Sequence, residues 1–122
     1  MSGVLVDTSV WVAHFRQPDA RLQELLHNDQ ALCHPLIVLE IACGTPPARQ
    51  RTLADLRSLR RPVIASEDEI LTLIERERLA DSGCGAVDAA LLASVLLTPG
   101  ARLWTSDRNL AAVARRAGAA MV

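Results

Sequence analysis

Short apolar runs alternate with longer segments of helical periodicity throughout the chain, and this alternation limits the possible folds more than any other feature. The apolar runs predict strands at residues 4–6, 31–34, 62–65, 101–105 and 119–122. The segments between them predict helices at residues 9–15, 35–43, 45–59, 66–79, 89–97 and 110–116, and another that begins after Asp19. Strands separated by helices pair in parallel through right-handed crossovers. The sequence therefore predicts an α/β fold with three α/β/α layers and a small central parallel sheet of four to five strands.

The amino-acid composition excludes several classes of protein. Half of the 122 residues are hydrophobic and 22% are charged, which favours a folded domain over a disordered chain. All 13 basic residues are arginine, so lysine-dependent phosphate loops and Schiff-base enzymes are excluded, and the absence of tyrosine excludes a tyrosine nucleophile. A net charge of −1 excludes a strongly basic nucleic-acid binder but is compatible with a local basic face.

The cysteines and the first residues bear on the compartment. Cys33, Cys43 and Cys84 are odd in number and form no C-x-x-C pair, so neither a disulfide framework nor a zinc site is expected. The opening MSGVLVDTS lacks the charged region and the apolar core of a signal peptide, and no apolar run reaches the roughly 18 residues of a membrane span. We therefore expect a cytoplasmic protein with reduced thiols and no membrane partner.

Four acidic residues stand in apolar surroundings. They are Asp7 after VLV, Glu40 within LIVLEIAC, Asp88 within GAVDAALL and Asp107 after LWTS. Placing an ionised carboxylate in apolar surroundings costs free energy unless a cation or hydrogen-bond donors interact with it. Asp7 and Asp107 follow predicted strands, and the ligands of open α/β sheets gather beyond the carboxyl ends of the strands. The four carboxylates are therefore candidates for one site at that edge of the sheet.

Helix capping is the alternative role for three of these acids. Asp7, Asp88 and Asp107 each lie at the start of a helical segment and could accept hydrogen bonds from its first backbone N–H groups. Glu40 lies several residues inside its helix and has no capping role. Both interpretations stay open here, since the sequence alone does not establish that the four side chains converge.

A site made of clustered carboxylates has a definite chemistry. The carboxylates repel one another until a hard divalent cation binds, and ligation by oxygen alone suits Mg²⁺ or Mn²⁺. Such a cation polarises a phosphoryl oxygen and generates hydroxide. Hydroxyl groups beside the acids would orient carboxylates or waters, unless they serve only as caps and turn formers. The hydroxyls concerned are those of Thr8, Ser9, Thr105 and Ser106.

Four motifs resemble those of one known family, the PIN domain, and within it the VapC-type ribonuclease toxins of toxin–antitoxin modules. The motifs are DTSVW from Asp7, the glutamate of LIVLEIACG, VDAALLA around Asp88, and LWTSDRNL around Asp107. The resemblance spans nearly the whole chain and implies a single PIN-like nuclease domain over residues 1–122. It also implies an acidic quartet that binds Mg²⁺ or Mn²⁺, formed by Asp7, Glu40, Asp88 and Asp107.

The resemblance further implies an activity and partners. The family cuts single-stranded or loop RNA by metal-dependent hydrolysis. Its members usually form homodimers and are silenced by a cognate VapB-like antitoxin that covers the groove. The family's hydroxyl after the first acid corresponds to Thr8 or Ser9, and the one before the last acid corresponds to Thr105. We therefore expect a metal-dependent ribonuclease that leaves a 5′-phosphate and a 3′-hydroxyl.

Other mechanisms and functions fit less well. Attack by the RNA 2′-hydroxyl would need a histidine pair as acid and base, and His14, His27 and His34 all lie away from the acid-bearing strand ends. A dehalogenase-like phosphatase needs a second acid where Ser9 stands and also a lysine. The G-x-G-x-x-D pattern at residues 83–88 lacks a third glycine and follows a helix, which excludes a dinucleotide site. A non-cleaving module that binds RNA or a protein partner remains the alternative.

Arginines supply the positive charge that an RNA substrate would meet. Residues 49–61 contain five arginines against a single acid, and a further arginine follows Asp107. These candidate contacts are Arg49, Arg51, Arg57, Arg60, Arg61 and Arg108. Contacts with RNA phosphates, contacts with an acidic antitoxin tail and an ordinary solvated helix face all fit this pattern.

Overall fold

A computed structural model of the chain describes residues 2–122. One parallel sheet has the strand order β2-β1-β3-β4 and contains β1 (Val4–Val6), β2 (Ala31–Leu32), β3 (Arg102–Trp104) and β4 (Ala120–Met121). The helices of this part of the chain are α1 (Thr8–Arg16), α2 (Ala20–His27), α3 (Pro35–Ala42), α4 (Arg49–Ser58), α5 (Glu67–Arg76), α6 (Ala86–Leu97) and α7 (Arg108–Arg116). The predicted α/β class and parallel sheet are confirmed. None of these helices has the length and apolar composition that crossing a bilayer requires.

Strand β1 is central in the sheet, and its composition follows from that position. It pairs with β2 through Val4 and Leu5 and with β3 along its whole length. Val4, Leu5 and Val6 are all buried, which requires that both faces of the sheet be covered. The residue that follows β1 therefore lies at the carboxyl edge of the sheet, directly after a strand buried in the hydrophobic core.

Helix α6 is apolar around nearly its whole circumference. Seven consecutive residues, from Ala89 to Val95, are buried in it. The helix packs against β3 and α5. A helix buried on all sides is held in place by the core, so α6 provides a rigid base for the acidic residue in its first turn, Asp88.

Several predicted helix starts are confirmed. The side chain of Asp19 accepts hydrogen bonds from the first backbone N–H groups of α2. Ser66 and Glu69 form the predicted capping box at the start of α5, with both reciprocal hydrogen bonds present. Pro35 occupies the first turn of α3, where its missing N–H costs nothing.

The strand predicted at residues 62–65 is wrong. The chain meets β2 only at an isolated parallel bridge between Arg60 and Leu32. Pro62 has no N–H to donate to a ladder, and the N–H of Val63 donates to the side-chain hydroxyl of Thr98, the residue directly after α6, at 2.8 Å. The apolar run therefore lies beside the sheet without joining it.

Helix α4 begins later than predicted. The pair Thr45-Pro46 predicted its start, but the helix begins at Arg49. A residue that precedes a proline is disfavoured in helical backbone, and both Thr45 and Pro46 precede one because Pro47 follows. Ala48 then turns the chain with a φ of 43°. The late start leaves a loop next to the C-terminal end of α3.

His34 caps α3 with its side chain. Its Nδ1 accepts a hydrogen bond from the Leu36 N–H at 3.0 Å, which requires that this nitrogen carry no proton. Burial, and next the charge of Arg61, hold the pKa of His34 below its usual value. A histidine whose pKa is lowered by folding contributes stability that is complete above its unfolded pKa and is lost as the pH falls toward the folded pKa.

We expect the free energy of unfolding to fall more steeply with acid in the wild type than in His34→Asn. From about pH 7 to pH 5 the wild type should lose about 1 kcal/mol more of its free energy of unfolding than His34→Asn, which is the usual contribution of an N-cap. Asparagine offers an acceptor for the Leu36 N–H but does not titrate, so it keeps the cap at both pH values. Urea unfolding at the two pH values measures the difference. The same pH dependence in both proteins would contradict this role.

Candidate functional site

Asp7 lies at the carboxyl end of the central strand. Its N–H donates to the Trp104 carbonyl at 2.9 Å, which carries the ladder between β1 and β3 one residue past the strand. It occupies the N-cap position of α1, but its side chain makes no capping hydrogen bond. Oδ2 instead accepts hydrogen bonds from the Ser9 hydroxyl at 2.9 Å and the Thr105 hydroxyl at 2.7 Å. Asp7 is only 6% exposed, and helix capping does not explain it.

Asp107 lies just beyond β3 and does cap a helix. Its Oδ1 accepts a hydrogen bond from a backbone N–H in the first turn of α7 at 3.0 Å. Its own N–H donates to the Thr105 hydroxyl at 3.0 Å, so one hydroxyl contacts both Asp107 and Asp7. The Ser106 N–H donates to the Ser9 hydroxyl at 3.1 Å. These bonds join the loops that follow β1 and β3.

Glu40 reaches the same edge of the sheet from α3. Its Oε1 accepts a hydrogen bond from the Thr8 hydroxyl at 2.6 Å. Thr8 is the first residue of α1 and directly follows Asp7, so this bond ties the two helices together beside the end of β1. Ile37 and Ile41 are buried and hold the inner face of α3 against the core, while Glu40 itself is exposed.

Asp88 lies in the first turn of α6 and is half-buried. Gly85 is the N-cap residue of this helix, so Asp88 does not serve as its cap. Burial raises the pKa of Asp88, and the charges of Asp7 and Asp107 raise it further. A backbone hydrogen bond at Gly85 opposes the rise, and the charge of Glu40 adds to it. Asp88 therefore lies within electrostatic reach of the other three acids.

The four acids gather at one edge of the sheet, but they are not arranged as a finished metal cage. Within residues 2–122, no three side chains of His, Cys, Asp or Glu are grouped so that they could hold a metal ion as they stand. Several carboxylate oxygens are turned toward hydroxyl and backbone donors instead. The donor set is nevertheless all oxygen, which a hard divalent cation prefers. These residues thus fit Mg²⁺ or Mn²⁺ by the chemistry of their donor atoms.

The six candidate contact arginines have different surroundings. Arg49 donates hydrogen bonds to the carbonyls of Ala42 and Gly44. Arg60 donates to the carbonyl of Asp29 and forms an ion pair with its carboxylate. The exposed ones that remain are Arg51, Arg57, Arg61 and Arg108. The structure thus separates two arginines that bind backbone carbonyls, of which Arg49 is itself exposed, from the four other exposed arginines.

The structure contains a groove beside Glu40 that the sequence did not predict. It has a volume of about 420 Å³ and lies between α1 and the loop after α3. Phe15 and Pro47 line it and also line an adjoining apolar hollow of about 340 Å³ that reaches α4. The sequence signal that could have revealed it is the pair of consecutive prolines, which excludes a helix there and leaves an apolar loop at the surface.

Comparison with known proteins agrees with this geometry. The family model described as PIN domain matches residues 4–116. Two curated relatives, each named Ribonuclease VapC32, come from Mycobacterium tuberculosis strains CDC 1551 / Oshkosh and ATCC 25618 / H37Rv. Each is 49% identical over 118 residues, which cover 97% of this chain and 95% of the relative. The chain belongs to the PIN domain family and, within it, to the VapC-type ribonucleases.

Proposed function

We propose that the chain is a metal-dependent endoribonuclease, the toxin of a toxin–antitoxin pair, and that it hydrolyses RNA at the four-carboxylate site. The position of Asp88 carries this proposal. It is a half-buried carboxyl group whose pKa is raised by burial and by three neighbouring acids. Such repulsion is relieved by a divalent cation. The ribonuclease names of the two relatives support RNA as the substrate.

The side chains divide the work of the site. Asp7, Asp88 and Asp107 would hold Mg²⁺ or Mn²⁺, and Glu40 would complete the ligand set or orient the attacking water. When bound, the cation supplies a polarised phosphoryl oxygen and a hydroxide at neutral pH. The Thr105 hydroxyl fixes the Asp7 carboxylate through its 2.7 Å hydrogen bond, as outer residues of metal sites commonly do.

Hydrolysis by water is favoured over attack by the RNA 2′-hydroxyl. The latter needs two histidines free to exchange protons. His14 accepts a hydrogen bond from the Asp19 N–H at 2.9 Å, and His34 accepts one from the Leu36 N–H. His27 lies at the end of α2. We therefore infer products with a 5′-phosphate and a 3′-hydroxyl.

The solvent-facing arginines are the proposed contacts for the RNA backbone. Arg108 directly follows Asp107 and so lies beside the site. Arg51 and Arg57 are exposed on α4, and Arg61 is exposed in the segment that follows it. Arginine binds phosphate through paired N–H groups, which supports this assignment.

A VapB-like antitoxin is the proposed protein partner. In the groove beside Glu40, Phe15 and Pro47 provide an apolar surface on which the antitoxin could bind, and Arg16 is also a lining residue. A peptide segment seated there would lie against Glu40 and would obstruct access of RNA to the acids. The adjoining hollow extends the apolar surface that such a segment could cover.

A homodimer is also proposed. Val63, Ile64 and Leu97 are large apolar residues with 46%, 48% and 40% of their surface exposed. Val63 and Leu97 are neighbours, because the Val63 N–H bonds to the hydroxyl of Thr98. Contiguous exposed apolar surface is typical of protein contacts. Sedimentation of the purified protein tests this proposal, which does not affect the assignment of the site.

The cytoplasm is the proposed location, and residues 1–122 are proposed to act as one nuclease domain. Cys33, Cys43 and Cys84 are all free, which fits a reducing compartment. The residues assigned to the site are spread from Asp7 to Asp107, so nearly the whole chain is needed to assemble them.

Incubation with labelled single-stranded RNA of mixed sequence tests the proposed function. We expect cleavage with Mg²⁺ or Mn²⁺ and none with EDTA. A ligase that accepts only 5′-phosphates should join an adaptor to the downstream products. RNA that stays intact in every lane but is bound would favour the non-cleaving module instead. Cleavage that persists in EDTA would exclude the metal.

A further inference from the structure

We propose that Arg49 is a positioning residue that holds Glu40 in place by capping the C-terminal end of α3. This inference rests on the proposed role of Glu40 in the site. The sequence pattern alone grouped Arg49 with contacts for RNA or antitoxin. Although Arg49 is exposed, its hydrogen bonds to backbone carbonyls indicate a structural role within the chain.

Helix α3 is short and needs support at both ends. It runs for eight residues, from Pro35 to Ala42, and a helix of this length is marginal by itself. The side chain of His34 caps its first turn. Its last carbonyls have no partner within the helix, and its last turn contains no basic residue that could meet them. The N–H groups of the two residues after the helix already meet two of these carbonyls, and the Ala42 carbonyl takes its donor from a side chain farther along the chain.

Arg49 supplies that donor. Its Nη2 donates to the Ala42 carbonyl at 2.6 Å, and its Nη1 donates to the Gly44 carbonyl at 3.1 Å. Both bonds come from one planar guanidinium, so they fix direction as well as distance. The positive charge also lies at the negative end of the α3 dipole. Arg49 begins α4, where a cation is unfavourable for that helix, so its placement serves α3 and not α4.

Glu40 lies in the turn that Arg49 holds. It is two residues before Ala42, and its side chain meets the protein through the 2.6 Å hydrogen bond from the Thr8 hydroxyl. Glu40 is exposed, so core packing does not fix its side chain. Buried Ile41 keeps the inner side of this turn in the core. Loss of the Arg49 bonds would loosen its exposed side, shift Glu40 and weaken the bond to Thr8. Loss of the Arg49 guanidinium should therefore impair RNA cleavage by displacing Glu40.

Cleavage kinetics separate a positioning role from an RNA contact. With labelled single-stranded RNA and Mn²⁺, we expect Arg49→Ala to lower kcat about tenfold, since small displacements of reacting groups have effects of this size. KM and the affinity for RNA measured in EDTA should stay within about twofold of the wild type, the difference expected when no binding contact is lost. Arg49→Lys should lie between the two proteins, because one ammonium group cannot reproduce the paired bonds. Gln50→Ala, an exposed neighbour on α4, is the matched control and should behave as the wild type.

A double-mutant cycle with Glu40→Gln tests the route. If Arg49 acts through Glu40, Arg49→Ala should change single-turnover cleavage by less than about twofold in the Glu40→Gln background. Full additivity would overturn the proposal. So would an Arg49→Ala protein with normal kcat, a raised KM and a smaller salt dependence of RNA binding, the pattern expected of Arg51→Ala as a phosphate contact.

The outcomes also separate this inference from the proposed function. Glu40→Gln that cleaves RNA at the wild-type rate would remove Glu40 from the site, and the inference about Arg49 with it. Impaired Glu40→Gln beside a fully active Arg49→Ala would overturn the role of Arg49 alone. Circular dichroism checks that each variant is folded. If Arg49→Ala unfolds, Arg49→Gln, which keeps a shorter donor, replaces it in the same cycle.

Discussion

Replacement of Asp7 by asparagine is expected to lower RNA cleavage by about 10³-fold, because a bound metal contributes several kcal/mol of transition-state stabilisation. Asparagine has nearly the same shape and still offers an acceptor to the Thr105 hydroxyl, so the fold should be retained. It lacks the negative charge that a cation needs. Initial rates of Mn²⁺-dependent cleavage of labelled single-stranded RNA measure the loss.

Glu24→Gln provides the control for this loss. Glu24 is also an acid with leucine neighbours, but it is exposed on α2. Replacing it by glutamine removes one negative charge, as Asp7→Asn does. The rate of Glu24→Gln should equal that of the wild type. Asp7→Asn that keeps a rate within about tenfold of the wild type would remove Asp7 from the metal-binding set, since loss of a ligand should have a larger effect.

Addition of Mn²⁺ or Mg²⁺ is expected to raise the melting temperature of the protein. At a hundredfold excess over Kd the gain in the free energy of unfolding should be roughly 2.7 kcal/mol. Without metal, burial and the charges of Asp7 and Asp107 raise the pKa of Asp88. A carboxyl group with a raised pKa binds its proton more tightly in the folded state. The metal-free protein therefore loses stability as the pH rises from the ordinary range of an aspartate through the folded pKa.

Asp88→Asn distinguishes this origin of the metal effect from general binding of cations. The variant should be more stable than the metal-free wild type at neutral pH, because it removes a charge that the other acids repel. It should also lose most of the gain from metal. Thermal melts of both proteins with and without Mn²⁺ measure the two effects, and Glu24→Gln should keep the full gain. Equal metal-induced shifts in the wild type and Asp88→Asn would place the cation elsewhere.

The positions of Asp7 and Asp107 could be predicted because each follows a short apolar strand. Parallel strands bring their carboxyl ends to one edge, so the two residues are neighbours wherever the rest of the chain lies. Glu40 stood out because no capping role explains an acid in the middle of an apolar helix. The structure places all three at that edge, with Thr105 and Thr8 as their hydrogen-bond partners.

Features that depend on contacts between distant segments could not be predicted. The run at residues 62–65 has the composition of a strand, but it does not pair. The chain meets β2 only at Arg60. Pro62 has no N–H to donate, and the Val63 N–H binds the Thr98 hydroxyl instead. The exposed arginines on α4 look alike in the sequence. Only the fold shows that Arg49 turns back to the end of α3, because the late start of α4 brings the two ends together.

Anomalous scattering from crystals grown with Mn²⁺ locates the bound ion. This measurement tests most directly the claim that the acids share one cation. We expect a peak within ligand distance of carboxylate oxygens from Asp7, Asp88 and Asp107, and no such peak in Asp7→Asn. Crystals that hold Mn²⁺ at other positions while these three acids bind none would show that the carboxylates do not form a metal site.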